Sequence, residues 1–229
     1  MAPTVTQPTE VLFNWSGGKD SAMALARMLA DGRYRVVELL TTVTEAYDRV
    51  SMHGVRRELL RTQAASICLP LRELVIPSPC SNEQYEATMS ELLAGYIERG
   101  VTTMAFGDIY LEGIRQYRES KLSPLGLTAV FPLWGEDTTE LARQFVAHGF
   151  KAVITCVDTQ QLDASFTGRQ LDASFFADLP EGIDPCGENG EFHSFVYDGP
   201  VFAEPVGFTR GEVVLRDERF SFIDLLPAG

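Results

Sequence analysis

Apolar residues along the chain fall into two rhythms. Short, nearly unbroken apolar runs at Val11 to Asn14, Arg35 to Thr44, Leu71 to Ile76, Thr102 to Phe106 and Ala152 to Val157 suit strands covered on both faces. Between them, Asp20 to Ala30, Val55 to Ile67, Glu83 to Arg99, a stretch from near Tyr110, and Thr138 to His148 carry apolar residues at helical spacing. Asp31-Gly32 and Gly100 read as helix stops and Asp137 as a cap. Strand and helix alternate, so the pattern predicts an α/β fold: a Rossmann-like parallel sheet with helices on both faces. Glu45 to Ser51 is polar and reads as a loop at the ligand end of the sheet. Beyond Phe195 to Tyr197, residues 199–229 alternate Val, Phe and Leu with charges, which predicts a smaller β-rich part.

Gln161 to Phe166 recurs as Gln170 to Phe175, QLDASF in both places. Two copies this short make no repeat architecture and read as two helix starts. Met1 to Glu10 is polar, with Pro3 and Pro8, and reads as a disordered leader.

A chain of 229 residues, 45% hydrophobic, can bury one large core or two small ones. Its net charge of -13 argues against nucleic acid and anionic membranes as partners. The densest basic groups, Arg56, Arg57 and Arg61, then Arg115, Arg118 and Lys121, lie on helical patterns, where a solvated face and a binding role weigh equally. No apolar run approaches the ~20 residues that cross a bilayer. Cys68, Cys80, Cys156 and Cys186 show neither CxxC nor metal-ligand spacing, so the expectation is a reduced, cytoplasmic protein. Cys156 and Cys186 read as buried apolar side chains rather than a redox pair.

The densest chemistry sits between the first strand and the first helix, in Ser16-Gly17-Gly18-Lys19-Asp20-Ser21. Two glycines let backbone N–H groups approach an anion, the helix start adds partial positive charge, and Lys19 adds a full one. Ser16 and Ser21 offer hydroxyls to phosphate or to a magnesium ion. The spacing is not that of a Walker loop, GxxxxGK[ST]. Further candidates lie at strand ends or in loops. His53 precedes the second helix, where ligand contact and helix capping weigh evenly. Gly107 and Asp108 follow the fourth strand, a place for a metal ligand or for a turn in which Asp108 caps the next helix. On that helix Arg115, Arg118 and Glu119 form a charged face. Asp184 to Ser194 gathers Gly187, Glu188, Asn189, Gly190, Glu191, His193 and Ser194, a set able to orient a polar substrate or to build a tight turn.

Trp15-Ser16-Gly17-Gly18-Lys19-Asp20-Ser21 resembles the PP-loop of ATP pyrophosphatases, in the form found in the diphthine-ammonia ligase family. Met52 to Arg56, the run Gly107-Asp108-Ile109 with Tyr117, Arg118 and Glu119, Phe131 to Trp134, and Cys186 to Val196 are similar to further segments of that family. Ser194 departs from its usual threonine and keeps the hydroxyl. The resemblance implies a PP-loop domain over residues 10–130 and a C-terminal α+β substrate domain over 131–229. It implies an ATP-dependent ligase that adenylates a carboxylate, releasing pyrophosphate, and then amidates it with ammonium. Ser16 to Ser21, His53 and Gly107 would bind ATP. Asp20 and Asp108 would hold Mg2+. Arg115, Arg118, Glu119 and the stretch Gly187 to Ser194 would bind a small-molecule or protein-borne acid. Lys19, Asp20, Asp108, Glu188, Glu191 and His193 would carry the chemistry. A homodimer stays open, as do two other readings: a tRNA-modifying PP-loop enzyme, which the charge disfavours, and a non-catalytic adenine-nucleotide sensor.

Overall fold

The computed structural model describes residues 7–50 and 54–228; the predicted contact at His53 lies outside them. Strands β1 (Thr9–Asn14), β2 (Tyr34–Thr44), β3 (Arg49–Val50), β4 (Leu71–Ile76), β5 (Thr103–Ala105) and β6 (Thr128–Val130) form the first sheet. Helices α1 (Lys19–Ala30), α2 (Arg57–Ile67), α3 (Asn82–Glu98) and α4 (Glu112–Leu122) connect them. Parallel pairing runs β4-β2-β1-β5-β6, and β3 pairs antiparallel with the far end of β2. The order therefore reverses between β1 and β5. In an open parallel sheet such a reversal leaves a crevice beyond the strand ends, where ligands bind.

Helix α5 (Thr138–Ala147) leads to a second, antiparallel sheet of β7 (Lys151–Asp158), β8 (Phe192–Asp198), β9 (Phe208–Arg216) and β10 (Phe220–Pro227), in the order β8-β7-β10-β9. The short helix α6 (Ala173–Asp178) lies between β7 and β8. One hydrophobic core runs through both sheets. Val11 and Phe13 of β1 pack with Leu25 of α1, Leu59 and Leu60 of α2, and then with Phe145, Val153 and Phe195 of the second part. Leu12, one residue out of phase, turns to the opposite face and joins Leu93, Tyr96 and Leu122 under α3 and α4.

Local chemistry explains the element ends. Ser81 and Gln84 form a reciprocal capping box on α3, and Asp137 accepts from the Glu140 N–H at the start of α5. The QLDASF pair is two helix starts: Asp163 accepts from the Ser165 N–H, and Asp172 from the Phe175 N–H, each at 2.9 Å. Four expectations need correction. Thr9 and Glu10, expected to be part of a polar leader, belong to β1, because Thr9 pairs with Tyr34. The polar stretch after β2 holds a short 3-10 turn, Glu45–Tyr47, and β3 rather than an irregular loop. Helix α2 starts at Arg57, not Val55. The helix expected from near Tyr110, α4, begins at Glu112, so of the two readings of Asp108 the cap falls away, and Arg118 takes the carboxylate.

Candidate functional site

The loop after β1 is held from beneath. Trp15 turns inward and donates its indole N–H to Gln63 Oε1 at 3.0 Å. Gln63 is fully buried on α2, and its amide donates to the carbonyls of Gly17 at 3.0 Å and Val196 at 2.6 Å. The Val196 N–H donates back to Gly17 O at 2.9 Å, so β8 is stapled to the loop. Gly17 has φ +79, and a Cβ there would lie 2.7 Å from Gln63 Oε1; both the turn and the close approach require glycine. Ser16 donates to Ser21 Oγ at 3.0 Å, Ser21 donates to Gly18 O at 2.9 Å, and the Lys19 N–H donates to Ser194 Oγ at 3.1 Å. The N-terminal end of α1 therefore opens onto a cleft framed by both sheets.

Lys19 is 3% exposed, and its ammonium lies 2.6 and 2.7 Å from the two oxygens of Asp20 and 5.9 Å from the centre of the Phe192 ring. Burial acts to discharge this lysine. Asp20 above all, with Cys186 and Glu188 behind it, outweighs that and holds the ammonium well above the ordinary lysine range. Burial pushes the Asp20 carboxyl up against the pull of Lys19, and the charges of Asp184 and Asp108 act in the same direction as burial.

The opposite wall comes from β5. A Cβ on Gly107 would lie 2.9 Å from the Ser21 backbone nitrogen, so this strand end meets the start of α1 backbone to backbone. Arg118 grips Asp108 with Nε at 2.6 Å and Nη2 at 3.0 Å and lies over the Phe106 ring at 4.2 Å. The Ile109 N–H donates to Glu188 Oε1 at 2.9 Å, tying the β5 loop to the loop before β8.

Asp184 Oδ1 shapes that second loop by accepting from the N–H groups of Cys186 and Glu188. Glu188 then reaches the cleft. Burial, with Asp20 and Asp108 nearby, pushes its carboxyl up to about 7. His193 is held down to about 4, by burial first and by the Lys19 charge second, and is neutral near pH 7. Burial also pushes the Cys186 and Cys156 thiols up to about 12, so neither is a thiolate near neutral pH.

The cleft, about 230 Å3, brings Ser16, Gly18, Lys19, Asp20 and Ser21 together with Gly107, Asp108 and Arg118. Its far side is Gly187, Glu188, Gly190, His193 and Ser194. Several predicted residues stand apart from it. Gly17 is spent on the turn. Glu191, 2% exposed, accepts from the Asp184 N–H and the Asn189 amide, so both Glu191 and Asn189 build the loop. Arg115 pairs with Glu119 at 2.8 Å and stacks over Trp134 at 4.7 Å, so neither member of that pair lines the cleft. Three contributors were not singled out in the sequence: Asn14, Phe192 and Gln63. Asn14 and Gln63 carried a signal, as a polar residue ending an apolar strand and an amide on the apolar stripe of a helix.

Asp20 and Asp108 were expected to hold magnesium. Among the described residues no three His, Cys, Asp or Glu side chains converge as a metal site. The donor set nonetheless fits this ion, which keeps waters and takes one or two carboxylates plus phosphate oxygens. Among the described residues, Asp20, Asp108 and Glu188 share the cleft with two cations, Lys19 and Arg118. A polyphosphate entering that field brings further negative charge that a divalent ion would offset.

The diphthamide synthase N-terminal domain matches residues 9–129, and the diphthamide synthase C-terminal domain matches residues 137–220. Among curated relatives, the diphthine–ammonia ligase of Schizosaccharomyces pombe is 27% identical over 224 residues, covering 90% of this chain and 37% of its own length. Those of Rattus norvegicus and Homo sapiens are 23% and 24% identical over 223 residues, covering 88% of this chain and 83% of theirs. The chain thus spans little more than a third of the fission-yeast relative and most of the mammalian ones.

Proposed function

Since the chain belongs to the diphthamide synthase family, we propose that it is an ATP-dependent ligase that joins a carboxylic acid to ammonia by way of an acyl-adenylate. The observation that supports this best is the meeting of Lys19 and Glu188, one a fixed cation and the other a carboxyl near neutrality, in a cleft where the strand order reverses.

A carboxylate resists attack by ammonia because its leaving group would be oxide. Adenylation removes that obstacle. A carboxylate oxygen attacks the α-phosphorus of ATP, the new O–P bond forms, and the bond to the β-phosphate oxygen breaks. Pyrophosphate leaves toward the Ser16 to Ser21 loop, where the end of α1 and the Lys19 ammonium meet the charge that develops. Asp20 and Asp108 would hold a magnesium ion there, and such an ion would supply further neutralisation of that charge. Ammonium must shed a proton before it attacks the activated acyl carbon. Glu188, with a carboxyl at about 7, takes that proton at physiological pH. AMP then departs. Neutral His193 and the Ser194 hydroxyl face the same space and orient the acid.

Diphthine is the acid named for the relatives and is the first candidate for this chain. The supporting experiment supplies diphthine, ATP, magnesium and ammonium and follows AMP. Release should depend on ammonium and vanish in Lys19→Ala; AMP release indifferent to ammonium would remove the amidation step from the account.

A further inference from the structure

The antiparallel sheet has two edges, and they are treated differently. Strand β8 turns part of its outer edge to the loop after β1, where the Val196 N–H donates to Gly17 O at 2.9 Å. Strand β9 ends the sheet on the other side, and among the described residues no strand pairs with its outer edge. Its regular stretch has clear limits. Gly211 and Glu212 stand together where β10 has only Asp224, a bulge, and Asp217 and Glu218 turn the chain with φ +52 each, which leaves Glu212-Val213-Val214-Leu215-Arg216 between them. Three consecutive aliphatic side chains are exposed there: Val213 at 56%, Val214 at 38% and Leu215 at 60%. Natural sheets blunt such an edge with proline, inward charge or a covering element. This stretch carries charge only at its two ends. Among the described residues neither Glu212 nor Arg216 belongs to an ion pair, and Arg216 rests over the Phe222 ring at 5.7 Å.

We propose that β9 pairs antiparallel with β9 of a second copy of this chain about a two-fold axis at Val214, joining the two antiparallel sheets into one. The inference stands apart from the ligase reading. What selects a second copy is that the stretch is complementary to its own reverse. About an axis at Val214, Glu212 of each copy faces Arg216 of the other, and Val214 faces its own counterpart on the same side of the sheet. On the other side Val213 faces Leu215, so aliphatic meets aliphatic and each charge meets its opposite. Neighbouring registers lose this match. An axis at Val213 sets Glu212 against Val214 and carries Arg216 to the bulge; one at Leu215 sets Arg216 against Val214 and Glu212 against Glu218. An axis between two residues would set backbone groups that point outward against groups that point inward. Charge and alternation therefore agree on one register.

Sedimentation velocity of the full chain, from about 5 to about 500 μM, tests the proposal. A seam this short falls well below the ~20–30 residues a side of a standard interface, so the pairing depends on concentration. The wild type should pass from monomer to dimer across that range and go no further, because a two-fold pairing uses up the β9 edge of both copies. Val214→Lys should weaken association at least tenfold by setting ammonium against ammonium at the axis. Glu212→Arg and Arg216→Glu should each do the same alone, since each sets like charges across the seam. Mixed in equal amounts, those two charge variants should associate again as a one-to-one heterodimer, because every charge then faces its opposite. All three positions are exposed, and thermal unfolding like that of the wild type is the fold control. A wild type that stays monomeric throughout overturns the proposal. So does a dimer untouched by Val214→Lys, or a mixture of the two charge variants that stays monomeric.

Discussion

Gln63 donates its side-chain amide to the carbonyl of Gly17 at 3.0 Å, and by that bond a helix of the parallel sheet sets the shape of the Ser16 to Ser21 loop. The same amide reaches Val196 O, and its oxygen takes the Trp15 indole N–H. Gln63→Leu keeps the volume and strips these partners, orphaning a buried indole N–H. Each orphaned buried group costs about 1–3 kcal/mol, and Gly17 O retains its bond from the Val196 N–H. The expected loss is about 2–4 kcal/mol, read from urea denaturation. An unchanged midpoint would mean that the staple is redundant.

Gly107 tests the opposing wall. Its added methyl in Gly107→Ala would meet the Ser21 backbone nitrogen at 2.9 Å, and backbone cannot swing aside as a side chain does. The loop must shift relative to β5. A misplacement of about 1 Å at a reacting centre can cost ~10²-fold in rate. A fall of that order in the ATP-dependent reaction is expected, with thermal stability lowered as well. Gly113→Ala, within α4 and with no neighbour within 4 Å, is the control: it should keep the rate and should not lower thermal stability.

Glu188 gives the site a pH signature. Its carboxyl, at about 7 in the folded chain against 4.5 for an ordinary glutamate, binds a proton that the unfolded chain releases. Its contribution to stability is complete below about 4.5 and is lost as pH rises to about 7. His193 acts oppositely: held down to about 4 from 6.5, it favours the folded state increasingly as pH rises through that interval. Glu188→Gln should remove only the first slope, seen as a smaller loss of stability between pH 5 and about 7 than in the wild type. Ammonia transfer at fixed total ammonium should exceed that of the variant most clearly above about pH 7, where Glu188 is ionised, while the variant should be slower and follow only the rising fraction of free ammonia. Parallel stability curves for the two proteins would remove Glu188 from this role.

The cysteines separate the ligase from a thiolating enzyme. Cys186, with its thiol pushed up to about 12, donates weakly to Thr138 O at 3.5 Å and presents no nucleophile. Cys186→Ala should keep the AMP-forming reaction within about threefold of wild type. Abolished turnover with intact folding would give the thiol a chemical part.

The parallel sheet was legible because strands buried on both faces leave continuous apolar runs, and helices over them keep a 3.6-residue stripe. That Ser16, Gly18, Lys19, Asp20 and Ser21 would line a cleft was legible because a glycine-rich turn between a parallel strand and a helix lies at the strand ends, where such a sheet opens. Pairing preferences were not. Arg115 and Arg118 stand on the same helix with similar spacing to their neighbours, yet one stacks on Trp134 and the other grips Asp108. Tertiary placement of the partners decides between those outcomes. Glu188 and Glu191 likewise look equivalent in the chain. A half-turn of loop sends one into the cleft and the other into the hydrogen bonds with Asp184 and Asn189.

Attack at the α-phosphorus is the claim on which the rest depends. 31P NMR of ATP turnover, with magnesium, ammonium and an 18O-labelled carboxylic acid, reads it directly. The account predicts AMP and pyrophosphate in equal amounts, with one 18O carried into AMP and no turnover in Lys19→Ala. ADP and orthophosphate as products, with the label in orthophosphate, would contradict it.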